Sequence, residues 1–383
     1  DDIVDVGNYA AEYFALIFFI LCGVSILSSF NNLLIMFIGV EIMSIPLYIL
    51  TGAAKKNLKS NEAGLKYFLM GSFTTGLMLM GIALLYGASG NFGIEALIKE
   101  SGTASGNAQK LTPILEVLGL IFVFVAMLFK VSAAPFHFWT PDVYDGAPSV
   151  FTSFMASIVK AAGFIAIIIL FYSKADELPT LWKLLVSVVV ICTLIAGNIT
   201  AVFQQSVKRM LAYSSIAQAG FMLFALYSKN DLAKEGILFY AVAYSVATVG
   251  IFSILVKMED YTFEGYNGLA KKQPLVAAAN TVFLLSLAGI PLTAGFFAKY
   301  YMLASVMKAG GNGALWLVLI GVVFAAISVY YYFRVIQAMY FKSGDAVMAP
   351  IKKSYKIALV VAAAIVVILG IYPDLLTNCF YFL

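Results

Sequence analysis

Along this chain the apolar residues come in long runs rather than in alternation. Eleven such segments, roughly 11–29, 32–53, 63–87, 112–144, 149–172, 179–203, 207–227, 234–257, 274–308, 313–341 and 353–378, can be marked off. Each approaches or exceeds the about 20 residues that a helix needs to cross a bilayer. Lipid offers no partner to a backbone N–H or C=O, so runs of this kind are helices rather than open strands. The fourth and ninth are longer than a straight span requires, and each carries a proline among small residues near its middle, Ser132-Ala133-Ala134-Pro135 and Ala288-Gly289-Ile290-Pro291. Both predict interrupted helices.

The two interruptions fall at matching places. Residues 11–172 hold five spans with the fourth broken, and residues 179–341 hold five more, again with the fourth broken. Five is odd, so the two sets run in opposite senses through the membrane. Inverted repeats with broken helices at corresponding positions are a transporter pattern, because a break offers unpaired backbone groups and half-helix dipoles to ions or water at mid-membrane. The predicted organisation is a first repeat over 1–173 with its broken helix at 112–144, a second over 174–345 with its broken helix at 274–308, and a C-terminal transmembrane helix over 346–383. The expected fold class is an all-α polytopic membrane protein of about eleven transmembrane helices.

Composition agrees. Of 383 residues 62% are hydrophobic and 11% charged, and the mean hydropathy is +0.95, against about 45–50% and about 25% in soluble domains. The net charge of +4 matters less than where the basic residues fall. One set of alternate loops holds Lys55, Lys56, Lys59, Lys208, Arg209, Lys257, Lys271, Lys272, Arg334, Lys342, Lys352, Lys353 and Lys356; the other holds Lys99, Lys110, Lys174, Lys183, Lys229, Lys234 and Lys308. The richer side is expected to be cytoplasmic, which puts the start of the chain inside and Leu383 outside. The longest outward connection, Ser89 to Lys110 with its short Ile94–Leu97 element, reads as a flexible surface loop.

Several chemistries are excluded. Cys22, Cys192 and Cys379 lie far apart without a CxxC, and there is one histidine, so neither an iron–sulfur cluster nor a bis-histidine haem can be assembled. No GxxxxGK[ST] is present, which removes ATP-driven transport by this chain alone. The chain opens on Asp1 and Asp2, without the basic start of a signal peptide.

Four lysines remain after the loops are counted. Lys66, Lys130, Lys160 and Lys299, together with Glu41, fall inside predicted spans. Lys66 is only a few residues into its span, where snorkelling or a structural ion pair is the competing reading. The other three are flanked on at least one side by about ten or more apolar residues, and an intramembrane charge is costly enough to be functional by default. A low-dielectric site disfavours the charged form of an amine and a nearby carboxylate restores it, which makes a switchable proton carrier. Unit charges about 8 Å apart interact by roughly 2 kcal/mol at an effective dielectric near 20, enough to pass a charge preference from one group to the next.

The stretches FKVSAAPFHFWTPDVYDGAPSVFTSFMASIVKAAGF, VKRMLAYSSIAQAGF and SLAGIPLTAGFFAKYYM carry a resemblance to the antiporter-like N subunit of respiratory complex I, the NADH:quinone oxidoreductase. It extends over essentially the whole chain, and PDVYDGAP favours the N subunit over the sister L and M subunits. Bacterial members of that family have fourteen spans, and by its motifs this chain begins at the fourth; a natural short form, as in animal mitochondrial relatives, and a longer parent chain both fit.

The resemblance implies roles for particular residues. Glu41 in GVEIMSIPLY and Lys66 in NEAGLKYF match a glutamate and lysine that modulate each other's charge. Lys130 matches the lysine of the first broken helix, Lys160 a connecting lysine and Lys299 the lysine of the second broken helix. Gln218 stands in AYSSIAQAG where many members have histidine, so a histidine relay is not expected there and Gln218 would orient water. The resemblance also implies a proton-translocating subunit without a cofactor of its own. NADH, FMN, iron–sulfur clusters and quinone belong to partner subunits, and the sister antiporter-like subunits are neighbours in a bacterial inner membrane. Nucleic acid is not an expected partner.

Other polar residues rank second. His137, beside an aromatic cluster, reads as a hydrogen-bonded structural residue before a proton carrier. Tyr213, Ser214 and Ser215 can hold water, yet hydroxyls in membrane helices serve at least as often as interhelical bonds. Tyr330-Tyr331-Tyr332 reads as interface anchoring. Asp142 and Asp145, just past the first break, read as turn formers and helix terminators. The rival to a redox-driven pump is a subunit of a multi-subunit sodium/proton antiporter, which would use Glu41 as its cation site. A passive scaffold would leave the buried lysines without a purpose.

Overall fold

The computed structural model describes residues 10–94, 107–172, 180–311 and 313–380. In chain order its helices are α1 (Ala10–Leu27), α2 (Leu33–Thr51), α3 (Leu58–Ser89), α4 (Asn107–Lys130), α5 (Trp139–Gly146), α6 (Ser149–Tyr172), α7 (Thr180–Val202), α8 (Val207–Ser228), α9 (Asp231–Leu255), α10 (Pro274–Ala288), α11 (Ala294–Ala309), α12 (Ala314–Phe341), α13 (Lys353–Ile371) and α14 (Asp374–Phe380). Among the described residues pairing between extended segments is limited to isolated bridges such as Asn32 with Gly93. Ten helices among the described residues are long and apolar enough to cross a membrane. The chain is a multi-pass membrane protein.

The two long segments are broken where their sequences place proline and small residues. The first is α4 followed by the short α5, and Ser132 between them takes a left-handed φ of 65°. The second is α10 followed by α11, with Gly289 at φ 84° and Leu292 at φ 69°. Gly289 ends α10 as a left-handed cap, its N–H bonded to the Leu285 and Ser286 carbonyls, a conformation that favours a residue without Cβ. The break also lets α11 turn back tightly on α10. A Cβ on Gly295 would stand 1.7 Å from the Ser286 carbonyl oxygen. Much of the loop from Ser89 to Lys110, including residues 95–106, lies outside the described residues.

By contact the chain forms two compact units, the first running to Phe151 and resuming over Ile158–Trp182, the second taking Thr152–Ser157 and everything from Lys183 onward. In the first unit α3 is the hub, packed against α2, α4 and α5. Small residues let its backbone come close: a Cβ on Gly81 would lie 2.8 Å from the Gly119 carbonyl oxygen of α4. Where both solvent and core are apolar, helix association rests on such contacts and on interhelical hydrogen bonds. In the second unit α8 is almost wholly buried, and α9 packs on α10, α11 and α13. Each unit thus carries one broken helix.

Candidate functional site

Lys130 is the last residue of α4, and the break behind it leaves its amine facing α2. The Nζ donates to Ser44 Oγ, which itself donates to the Val40 carbonyl. It also stands 6.0 Å from the centre of the Tyr67 ring. Glu41 lies one turn before Ser44 on α2, and its carboxylate acts on Lys130 across this space. Glu41 Oε1 is buried without a hydrogen-bond partner. A carboxylate oxygen held this way leaves one acceptor open for a proton or a cation.

Lys66 has two carboxylate partners of its own. Its Nζ is 2.6 Å from Glu62 Oε1, one turn back on α3, and 2.9 Å from Asp142 Oδ2 on α5. The first contact is the ordinary i,i+4 neighbourhood of a helix. The second is not local: Asp142, read from sequence as a turn former, is the carboxylate that ties the short half-helix to α3. Lys66 lies about 12 Å along α3, and its triad is half-exposed, towards one end of the helix. Tyr67, the next residue in the chain, stacks on Trp139 at 4.7 Å, and Trp139 Nε1 donates to the Phe129 carbonyl at 3.0 Å. That carbonyl, in the last turn of α4, also accepts from the Ser132 N–H at 3.0 Å.

Lys160 is 1% exposed and follows directly on a π-helical turn, Met155–Val159, inside α6. Such turns are rare and cluster at functional positions. His137 is buried in the first break against Phe138, and its Nδ1 has no hydrogen-bond partner.

In the second unit Lys299, 6% exposed, projects from α11 back to the end of α10. Its Nζ donates to the Ala288 carbonyl at 2.8 Å and to Ser328 Oγ at 3.4 Å, and it lies 4.9 Å from the centre of the Phe221 ring. The amine therefore caps the negative end of a half-helix, where a cation is favoured. One residue earlier, the Leu287 carbonyl accepts from Gln218 Nε2 at 3.0 Å. Gln218 Nε2 also donates to Tyr332 Oη at 3.0 Å, and its Oε1 accepts from Tyr240. Ser214 and Tyr332 share a bond of 2.5 Å, and Tyr331 Oη donates to Asn198 at 3.1 Å. Ser215 is bonded to Tyr244, while Tyr213 meets the Arg209 guanidinium with its ring face.

Tyr331 and Tyr332 correct the interface-anchor reading. Both are fully buried, and of the three only Tyr330 faces outward. At helical spacing one residue of a run of three points away from its neighbours, which the run of identical letters conceals. Two small cavities of about 10 Å³ border the network, lined in part by Ser214, Tyr244 and Thr248 and by Gln218, Tyr240 and Ser286. Each is at the lower limit of what one water needs. The arrangement is a chain of hydroxyl and amide groups ending one residue from the acceptor of Lys299; Gln218 orients hydrogen bonds in it but cannot carry charge.

Residues 30–328 match the transmembrane family described as NADH:quinone oxidoreductase/Mrp antiporter. The NADH-quinone oxidoreductase subunit N of Trichlorobacter lovleyi is 41% identical over 95% of this chain and 75% of its own length, and that of Cytophaga hutchinsonii 42% identical over 95% and 78%. The chain belongs to the NADH-quinone oxidoreductase subunit N family. A solved chain of respiratory complex I from Thermus thermophilus agrees with this subunit N fold at a TM-score of 0.83 and 34% identity, over 96% of this chain and 79% of that one. A chain of the Mrp complex from Dietzia shares the fold at a TM-score of 0.82 and 20% identity, over 94% and 75%.

Proposed function

We propose that this chain translocates protons as a membrane subunit of an NADH:quinone oxidoreductase, with the redox chemistry carried by partner subunits. The observation that carries the reading is a buried amine at each broken helix: Lys130 ending α4 and Lys299 seated on the end of α10. A buried amine with neutral acceptors is a group whose charge can be changed at modest cost, as a carrier requires. Glu41 with Lys66, then Lys130, Lys160 and Lys299 form the order of charge transfer, with Gln218, Ser214, Ser215 and Tyr213 lining the way to Lys299 and His137 in the first break. Support for the two inverted repeats comes from the paired breaks and their paired lysines. The partners are the other membrane and peripheral subunits, including sister antiporter-like subunits that receive the charge signal. NADH, FMN, iron–sulfur clusters and quinone are bound there. The setting is a bacterial inner membrane with the C-terminus on the outer side.

Lys130→Ala tests the carrier role. Alanine in the same place removes a costly buried charge, so the fold is retained while proton uptake into vesicles during NADH oxidation drops by about tenfold or more. Unchanged uptake in the assembled complex would take Lys130 off the path.

A further inference from the structure

We propose that Asp142 is a positioning residue of the proton path, holding the Lys66 charge through the ion pair between α5 and α3 so that Glu41 is left to serve Lys130. The inference rests on the proton-translocation reading and deepens it. Three observations support it. First, Lys66 has two carboxylates at 2.6 and 2.9 Å, Glu62 on its own helix and Asp142 on another, so its charge is already more than balanced. Second, Glu41 keeps a buried, unpartnered Oε1 and acts on Lys130 instead. Third, Asp142 sits on the far side of the break from Lys130, on the short α5, five residues past the buried His137 and three past Trp139.

This last placement makes the bond more than a tether. Glu62 and Lys66 move together because one helix carries both. Asp142 moves with α5, so any shift of the break that Lys130 terminates alters the Lys66–Asp142 distance and with it the balance of charge on α3. A charge-assisted bond is steep in distance and geometry, so a small rearrangement at the break is converted into a change in where the Lys66 charge is compensated. The groups that face this amine are Glu62 on α3 and Asp142 on α5; Tyr67, next to Lys66 in the chain, stacks on Trp139, and the Lys130 amine lies 6.0 Å from the Tyr67 ring centre. Asp142 acts through Lys66, the carrier whose amine it holds at 2.9 Å.

The test is the rate of proton uptake per assembled complex in inverted membrane vesicles driven by NADH. Asp142→Asn is expected to lower it about fivefold, the low end of coupling between sites, and Asp142→Glu to keep more than half. The deciding comparison is Lys66→Met alone against Lys66→Met with Asp142→Asn. Residues that act as one unit are non-additive, so the double variant should match Lys66→Met within about twofold. Additive losses, or full uptake in Asp142→Asn, would overturn the proposal. If Asp142→Asn does not assemble, assembly restored in the double variant supports it, because the harm then came from a Lys66 that had lost its partner on α5; failure of both to assemble makes Asp142 a structural anchor and overturns it. Wild-type vesicles and Lys130→Ala run alongside keep the two readings apart: equal uptake in those two defeats the parent reading rather than the role of Asp142.

Discussion

At the scale of single residues, charge and proton exchange can be separated at the two titratable ends of the proposed path, Glu41 and Lys299. Glu41 matters through its negative charge next to Lys130, so Glu41→Gln should impair proton uptake several-fold while Glu41→Asp is milder; comparable uptake by the two variants would show that shape, not charge, is what α2 supplies there. Lys299 matters through a proton it can give up. Arginine keeps the charge but holds its proton at any working pH, its pKa lying above about 12. Lys299→Arg should therefore assemble and yet lower proton uptake relative to NADH oxidation in the same preparation. A lysine serving only as the cap of α10 would be replaced by arginine without loss, and full uptake would assign Lys299 that structural role. The neighbouring Gln218 is already committed through both ends of its amide to Leu287, Tyr332 and Tyr240. Its replacement by leucine should strand those partners, at about 1–3 kcal/mol for each buried group left unpaired, read as a lower melting temperature of the purified complex.

At the scale of elements, the breaks carry the design. Gly295 allows α11 to fold back against the last turn of α10, and the obstacle a methyl group would meet is the Ser286 backbone rather than a movable side chain. Gly295→Ala should cost about 3 kcal/mol and shift Lys299 from Ala288, so that thermal stability and proton uptake fall together. Gly76, where a Cβ would meet nothing within 4 Å, is the matched control and should tolerate alanine. The breaks were legible in the sequence because proline and glycine announce themselves by what they cannot do. The partners at the breaks were not. Nothing in the spacing of Asp142 and Lys66 says that a half-helix eight residues long will bring them together, and Tyr332 is one of three identical letters whose directions only the helical register decides. Long apolar runs and lone lysines are local signals; pairings across seventy or more residues are properties of the packed helices.

At the scale of the whole molecule, the chain offers carriers and no driver. On the proposed function its buried amines accept and release protons while the free energy that orders those events comes from elsewhere, as it also would in the rival reading of a sodium/proton antiporter subunit. Purification in mild detergent separates them. Co-purification of NADH-oxidising subunits with the chain, and NADH-driven uptake indifferent to sodium, is the expected outcome; uptake that requires a sodium gradient would favour the antiporter instead. Relatives about 40% identical over three quarters of their length are subunit N, while the Mrp chain shares the fold alone.

A half-helix that ends on a lysine has a preferred electrical resting state. The last carbonyls of α10 carry roughly half an elementary negative charge, and with the Lys299 amine charged that end is balanced. If, as proposed, the amine gives its proton away, Ala288 keeps only a neutral and weaker donor, and the imbalance is removed by the next proton to arrive on the same nitrogen. Emptying the station thus creates the pull that refills it. On the proposed carrier role the reset asks for no movement of a helix, and the direction of net flow is left to the rest of the complex.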